Sequence, residues 1–134
     1  MLGGNRGPKS TNEVILGVES EGLDSIIRLG FIPCPVCKPE DDISYVHGVT
    51  DAVHDVYSVS LKQFSDKRIV PFDARRVDYE RILHITGAPD RIYLPSGLSS
   101  EEIAAQRARF TALGTSPVLE CYDATVAERF RRYD

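Results

Sequence analysis

Two cysteines separated by two residues are the part of this 134-residue sequence whose types and spacing most clearly suggest chemistry. Cys34 and Cys37 lie in the turn 33–39, PCPVCKP, whose three prolines exclude a helix interior or a central strand. Such a turn places both thiolates on one side of the chain, like two corners of a tetrahedral zinc site. The nearest residues that could complete this site are His47 and His54. The sequence therefore predicts a zinc site at Cys34 and Cys37, with His47 and His54 as candidate ligands.

Two other interpretations of this turn stay open. Disulfide exchange between Cys34 and Cys37 needs a thiolate at a helix N-terminus, whereas this pair follows a predicted helix. A proline-stiffened turn with two reduced thiols is the simplest alternative. Cys121 is a further possible ligand, although its apolar surroundings favour a small core residue. An odd number of cysteines argues against a disulfide framework.

The segment before and through this turn resembles a known zinc module. The six residues that carry the resemblance follow a predicted helix and are Gly30, Phe31, Pro33, Cys34, Cys37 and Pro39. They match the pattern Gly-aromatic-x-Pro-Cys-x-x-Cys-x-Pro that ends the zinc module of Ada-type DNA-repair methyltransferases, and the similar region covers about residues 14–39. That family has two further cysteines upstream, one of which accepts the methyl group, and no cysteine precedes Cys34 here. The resemblance implies a helix followed by a cysteine knuckle and half a metal site, without methyl transfer.

An acidic run followed by a lysine suggests a second kind of chemistry. Nucleases of the PD-(D/E)xK type hold Mg²⁺ between an acid and a later acid-x-Lys on adjacent strands. The acidic run 40–42 precedes Lys62, which would follow a predicted strand at 56–61, with Ser60 in place of the second acid. A solvated acidic turn and a lysine at a strand edge explain the same residues more simply.

Polar residues that follow predicted strands form the third candidate site. Asp73, Ser96 and Asp123 come directly after apolar segments, and open parallel sheets bind ligands beyond the carboxyl ends of their strands. The helix N-terminus at Ser99 could bind a phosphate through its backbone N–H groups. The sequence contains no Gly-x-Gly-x-x-Gly and no P-loop. We therefore predict a ligand site at Asp73, Ser96 and Asp123, although caps and turns explain the same residues.

The elements that would position these residues are clearest in the second half. Strands are predicted at 68–72, 91–94 and 118–122. Asp73 would cap a helix with Tyr79, Ile82 and Leu83 inward, ended by Gly87. A capping box at 99–102 would open a second helix with Ile103, Phe110 and Leu113 inward, ended by Gly114. A last helix would run from Asp123 or Thr125 to Arg132.

The first half gives a weaker pattern. A strand is predicted at 13–18, followed by a helix that Ser20 caps and Gly30 ends. Short strands are predicted at 43–46 and 56–61. The expectation is a flexible tail over 1–12 and a single α/β domain over 13–134, with a helix-knuckle portion at 13–42 and a βαβαβα portion at 67–134. Its sheet would be mainly parallel or mixed.

Charge and hydropathy limit the possible partners. The net charge of −4 does not favour bulk attraction to nucleic acid, and no apolar run is long enough for a membrane helix. The amino terminus lacks the apolar segment of a secretory signal, which predicts a cytoplasmic protein. Arginines dominate the basic residues of the second half and could form a face for a protein or nucleic acid, or be solvated or paired: Arg75, Arg76, Arg107, Arg109, Arg129, Arg131 and Arg132.

These observations favour a binding or interaction module that zinc stabilises at the cysteine turn, without its own catalysis. The alternative is an enzyme that acts on a phosphate-containing substrate or nucleic acid. Such an enzyme would use either the strand ends or the acidic run with Lys62.

Overall fold

A computed structural model describes residues 13–30 and 43–130 and confirms the predicted α/β class. The strands are β1 (Glu13–Val18), β2 (Arg68–Asp73), β3 (Arg91–Pro95) and β4 (Val118–Tyr122). The α-helices are α1 (Ser20–Gly30), α2 (Ile43–Val56), α3 (Tyr79–Thr86) and α4 (Ser100–Ala112). Short 3₁₀ helices lie at Lys62–Phe64 and Glu128–Phe130. The cysteine turn predicted at Cys34 and Cys37 lies outside the described residues.

The four strands form one parallel sheet in the order β2-β1-β3-β4. On one side of β1, Val14 pairs with Ile69, and on the other side Ile15 pairs with Ile92. Because all the strands run in the same direction, they all end at one edge of the sheet, which we call the carboxyl edge. It is marked by Glu19, Asp73, Ser96 and Asp123, which end or directly follow the four strands.

The side chains of β1 alternate between two core clusters, one on each face of the sheet. Val14, Leu16 and Val18 belong to the α1/α2 core, which also contains Leu23 of α1 and Val53 of α2. Ile15 belongs to the opposite face, the α3/α4 core, together with Ile82 of α3 and Phe110 of α4. The sheet is therefore covered by helices on both faces, as an all-parallel sheet requires.

The predicted strands at 43–46 and 56–61 are wrong. Residues 43–56 form α2, and the chain then makes turns before the 3₁₀ helix at Lys62–Phe64. The buried residues Val49, Ala52, Val53 and Val56 recur with helical spacing, which gives α2 an apolar face for the α1/α2 core. Lys62 is exposed and lies on no strand, so the strand placement that the nuclease interpretation needs is absent.

The helix boundaries of the second half follow local signals closely. Ser99 accepts a hydrogen bond from the backbone N–H of Glu102, whose carboxylate accepts one from the Ser99 N–H, so the predicted capping box is confirmed. Gly87 ends α3 in the left-handed conformation, with φ of 67°. The predicted cap of α3 is wrong, because Asp78 rather than Asp73 accepts from the Arg81 N–H.

The helix predicted after Asp123 is also wrong over the residues that the structure describes. Residues 123–127 are irregular, and only Glu128–Phe130 form a 3₁₀ turn. In this segment, contacts with the end of α2 and with the turn that follows it take the place of helical hydrogen bonds. The Ala127 N–H donates to the Val56 carbonyl at 2.7 Å, and the Ser60 hydroxyl donates to the Thr125 carbonyl at 3.1 Å. The segment 123–130 is thereby held against the α1/α2 core.

Two residues that the sequence placed inward are exposed. Cys121 is an exposed free thiol, and Leu113 is 38% exposed. Cys121 lies on β4, the last strand at one side of the sheet, where a side chain has fewer neighbours to cover it. Within the described part of the chain, no helix has the length and apolar character needed to cross a membrane.

Substituting Gly22→Ala should lower the free energy of unfolding by about 2 kcal/mol, in the range typical of an overpacked core. A Cβ atom at position 22 would lie 1.9 Å from the Tyr57 hydroxyl oxygen. Urea unfolding measures the effect. Gly97→Ala is the control, because a Cβ there meets only a Glu19 carboxylate oxygen at 3.6 Å. Equal stabilities of the two variants would contradict the close packing of Tyr57 against α1.

Candidate functional site

The residues predicted to bind a ligand all lie on the carboxyl edge but do not form one cluster. Asp73 ends β2, and Asp123 follows β4. Because β2 and β4 are the outer strands, three strand spacings or about 14 Å separate them. Ser96 follows β3 in the middle of the edge and is exposed. The three residues therefore share one edge of the sheet, as predicted, but the two aspartates lie at opposite ends of that edge.

Both aspartates already have structural partners. Asp73 accepts hydrogen bonds from the Ser20 hydroxyl at 2.6 Å and from the Arg75 N–H at 2.9 Å. The Ser20 hydroxyl therefore ties the start of α1 to the end of β2 instead of capping α1. Asp123 accepts from the Thr125 hydroxyl at 2.7 Å. These contacts shape the carboxyl edge and leave its centre to other residues.

Glu19, which the sequence did not single out, is the acidic residue at the centre of this edge. Glu19 directly follows β1, and its carbonyl accepts the first hydrogen bond of α1 from the Leu23 N–H at 2.9 Å. Its carboxylate faces the turn after β3, since Oε2 lies 3.6 Å from the position of a Cβ on Gly97. Glu19 thus connects the ends of the two middle strands. The feature of the sequence that could have identified Glu19 is its position immediately after the first predicted strand.

Two buried tyrosines lie beneath this region. Their rings are 6.3 Å apart and almost perpendicular. The Tyr122 hydroxyl donates to the Gly17 carbonyl at 3.0 Å, whereas the Tyr57 hydroxyl has no hydrogen-bond partner. Burial raises the pKa of Tyr57, and the charge of Glu19 raises it further. Burial also raises the pKa of Tyr122, so both phenols stay neutral.

A cavity of about 420 Å³ opens beside Glu19. This volume lies within the usual range for small-molecule sites. The first turns of α1 form one wall, and the segment after β4 forms the other. The lining residues are Glu19, Glu21, Gly22, Ser25, Ala124, Thr125, Val126 and Phe130. The lining thus combines two carboxylates and two hydroxyls with an apolar wall, and none of these residues is basic.

Several arginines of the predicted basic face bind other residues of the same chain. Arg75 pairs with Glu102 at 3.0 Å. The hydrogen bond to Glu102 raises the pKa of Arg75. The pKa of Glu102 is lowered, first by its hydrogen bond with the Ser99 backbone and second by its hydrogen bond with Arg75. Arg129 pairs with Asp55, and Arg109 lies 4.8 Å from the centre of the Tyr79 ring. Arg75, Arg109 and Arg129 therefore contact other residues of the same chain, which favours the interpretation that these arginines are paired. Arg131 and Arg132 lie outside the described residues.

The predicted zinc ligands are only partly within the described residues. Cys34 and Cys37 lie outside them, whereas His47 and His54 both belong to α2. The two histidines are seven positions apart, which is about 10.5 Å of helical rise. The Nε2 atom of His54 is buried without a hydrogen-bond partner. Among the residues that the structure describes, no three histidine, cysteine or acidic side chains are grouped to hold a metal ion.

Comparisons with known proteins return no relative. No protein-family model, no curated protein and no solved structure matches the chain. The geometry of the carboxyl edge is therefore the basis for assigning a function.

The two buried tyrosines should respond differently to removal of their hydroxyl groups. Tyr122→Phe should lower the free energy of unfolding by about 1 kcal/mol, because it removes a hydrogen bond to the Gly17 carbonyl. Tyr57→Phe should leave stability unchanged or raise it, because its hydroxyl has no partner to lose. Urea unfolding of both variants measures the difference, and an equal loss in Tyr57→Phe would show that this hydroxyl is paired.

Proposed function

We propose that this protein binds a small ligand at the carboxyl edge of its sheet, between the ends of β1 and β3. The observation that carries this proposal is the strand order β2-β1-β3-β4. After β1 the chain enters α1 on one face of the sheet, and after β3 it enters α4 on the other. Connections that leave neighbouring strands in opposite directions open a crevice between them, where open α/β sheets bind ligands.

The residues at this crevice support the same proposal. Glu19 faces Gly97 across the ends of the middle strands, and the adjacent cavity is large enough for a small molecule. Its lining supplies two carboxylates and the Ser25 hydroxyl on one wall, and mainly apolar side chains with the Thr125 hydroxyl on the other. Binding sites commonly combine a mostly apolar surface with a few polar groups that fix orientation.

Binding is a better interpretation of this lining than phosphate chemistry. A phosphate would face the carboxylates of Glu19 and Glu21 with no basic lining residue to balance its charge. Arg75, which the sequence placed near the strand ends, is paired with Glu102. The lining also contains no histidine, the residue most often used for proton transfer in catalysis. We therefore propose a binding module rather than an enzyme for a phosphate-containing substrate.

A fragment screen observed by ¹H–¹⁵N NMR tests this proposal. Fragments should shift the backbone resonances of 19–22, 96–97 and 124–126. Glu19→Gln should weaken the best fragments about fivefold, the size expected for one partly exposed polar contact. Asp66→Asn is the control, because it removes a carboxylate before β2, at the opposite edge of the sheet. Fragments that bind only outside the carboxyl edge would overturn the proposal.

Zinc binding at the cysteine turn is a second candidate function, and His54 is the observation that favours it. A buried ring nitrogen without a partner is costly, and neutral histidine nitrogen is a common zinc ligand. We propose that Cys34, Cys37 and His54 contribute to one site, with His47 or Cys121 as the alternative completing ligand. Zinc there would supply a structural cross-link between the cysteine turn and α2.

Elemental mass spectrometry of protein purified without chelator tests zinc binding. About one zinc per chain is expected, falling towards zero in Cys34→Ser and His54→Ala because each removes a ligand. Asp66→Asn should keep the full ratio. A ratio near zero in folded, reduced protein would end the zinc proposal, and a full ratio in His54→Ala would exclude this histidine as a ligand.

A further inference from the structure

We infer that the ligand of the carboxyl-edge cavity is an organic cation, an ammonium group carried on an apolar body. This inference depends on the proposed function and adds the chemical class of the ligand. The cavity has two chemically different walls, and the ligand class follows from their combination. One wall is the start of α1 with Glu19 and Glu21, and the other is the apolar segment after β4.

The charge of the cavity favours a cation. Glu19 and Glu21 both line it, and neither carboxylate has a basic partner among the lining residues. Arg129, which directly precedes the lining residue Phe130, pairs with Asp55 and lies over the Phe130 ring at 4.9 Å. An ammonium group placed between two carboxylates gains attraction from both, whereas an anion is repelled twice. These carboxylates also complement the positive N-terminal end of α1, which would otherwise attract an anion.

The opposite wall accepts an apolar group. Ala124, Val126 and Phe130 line the cavity and pack against the α1/α2 core. Each is only partly buried, so apolar surface remains for contact with a ligand. A simple metal ion or a small inorganic cation would leave this wall in contact with water. A hydrocarbon or aromatic body attached to the ammonium group would cover it.

The Tyr57 hydroxyl is a second unusual feature next to this cavity. Its side chain is fully buried, and its hydroxyl lies directly behind Gly22, where a Cβ would be only 1.9 Å away. Gly22 itself lines the cavity. A buried hydroxyl without a partner is uncommon and costs free energy. Gly22 separates this hydroxyl from the cavity, so a ligand bound there would change the surroundings of the phenol.

Three probes of similar size and different charge test the inference: 2-phenylethylammonium, 2-phenylethanol and phenylacetate. NMR titration of the full-length protein should give an ammonium affinity about tenfold higher than that of the alcohol, from two partly screened charge contacts. Shifts should map to 19–25 and 124–130. Raising the salt concentration should weaken the ammonium and leave the alcohol unchanged.

Charge-removing variants sharpen this test. Glu19→Gln and Glu21→Gln should each weaken the ammonium several-fold without changing the affinity for the alcohol. Glu21 is exposed, so its variant should fold even if Glu19→Gln is unstable. Asp66→Asn should bind the ammonium as tightly as the unmodified protein. Equal effects of Asp66→Asn and Glu21→Gln would show general charge attraction and overturn the inference.

The outcomes separate this inference from the proposed function. If the alcohol or phenylacetate shifts the same resonances at equal or higher affinity, the cationic ligand class is wrong and the ligand site remains. If none of the probes shifts 19–25 or 124–130, the inference fails, and the fragment screen then decides the proposed function separately.

Discussion

The parallel pairing of β1 with both β2 and β3 is the constraint on which the rest of the structure depends. A strand paired on both sides has all its backbone groups engaged and must bury both faces. The sequence EVILGV satisfies this requirement, because Val14, Leu16 and Val18 fill one core while Ile15 fills the other. With β1 in the middle, α1 and α4 leave neighbouring strands towards opposite faces of the sheet. The crevice at the carboxyl edge follows from this pairing.

The same constraint determines which groups meet at that crevice. Glu19 must emerge beside the turn after β3, because β1 and β3 are adjacent and in register. The tyrosines lie beneath it for a related reason. Tyr122 ends β4 and reaches the Gly17 carbonyl, and Tyr57 follows α2 and reaches the start of α1 beside Gly22. The candidate site is therefore assembled from four parts of the chain: the start of α1, the turn after β3, Tyr57 and the segment after β4.

Local signals predicted the second half of the fold well. The capping box at Ser99, the glycine after α3 and the short apolar segments act within a few residues, so they can be recognised without the sheet. α2 was missed because residues 43–46 and 56–61 resemble short strands, whereas the helical spacing of Val49, Val53 and Val56 decides the structure once α1 packs against it. Glu19 was missed because its importance depends on strand order, which one sequence does not specify. Asp73 and Asp123 lie on the predicted edge, where hydrogen bonds to Ser20 and Thr125 engage their carboxylates.

The central claim is that a ligand binds between the ends of β1 and β3, beside Glu19. Crystals of the protein soaked with a mixture of small amines, alcohols and carboxylates test it most directly. The account predicts ligand density between Glu19, Gly97 and Phe130, with an amine preferred over the other compounds. Density found reproducibly at the opposite edge of the sheet, with none beside Glu19, would contradict it.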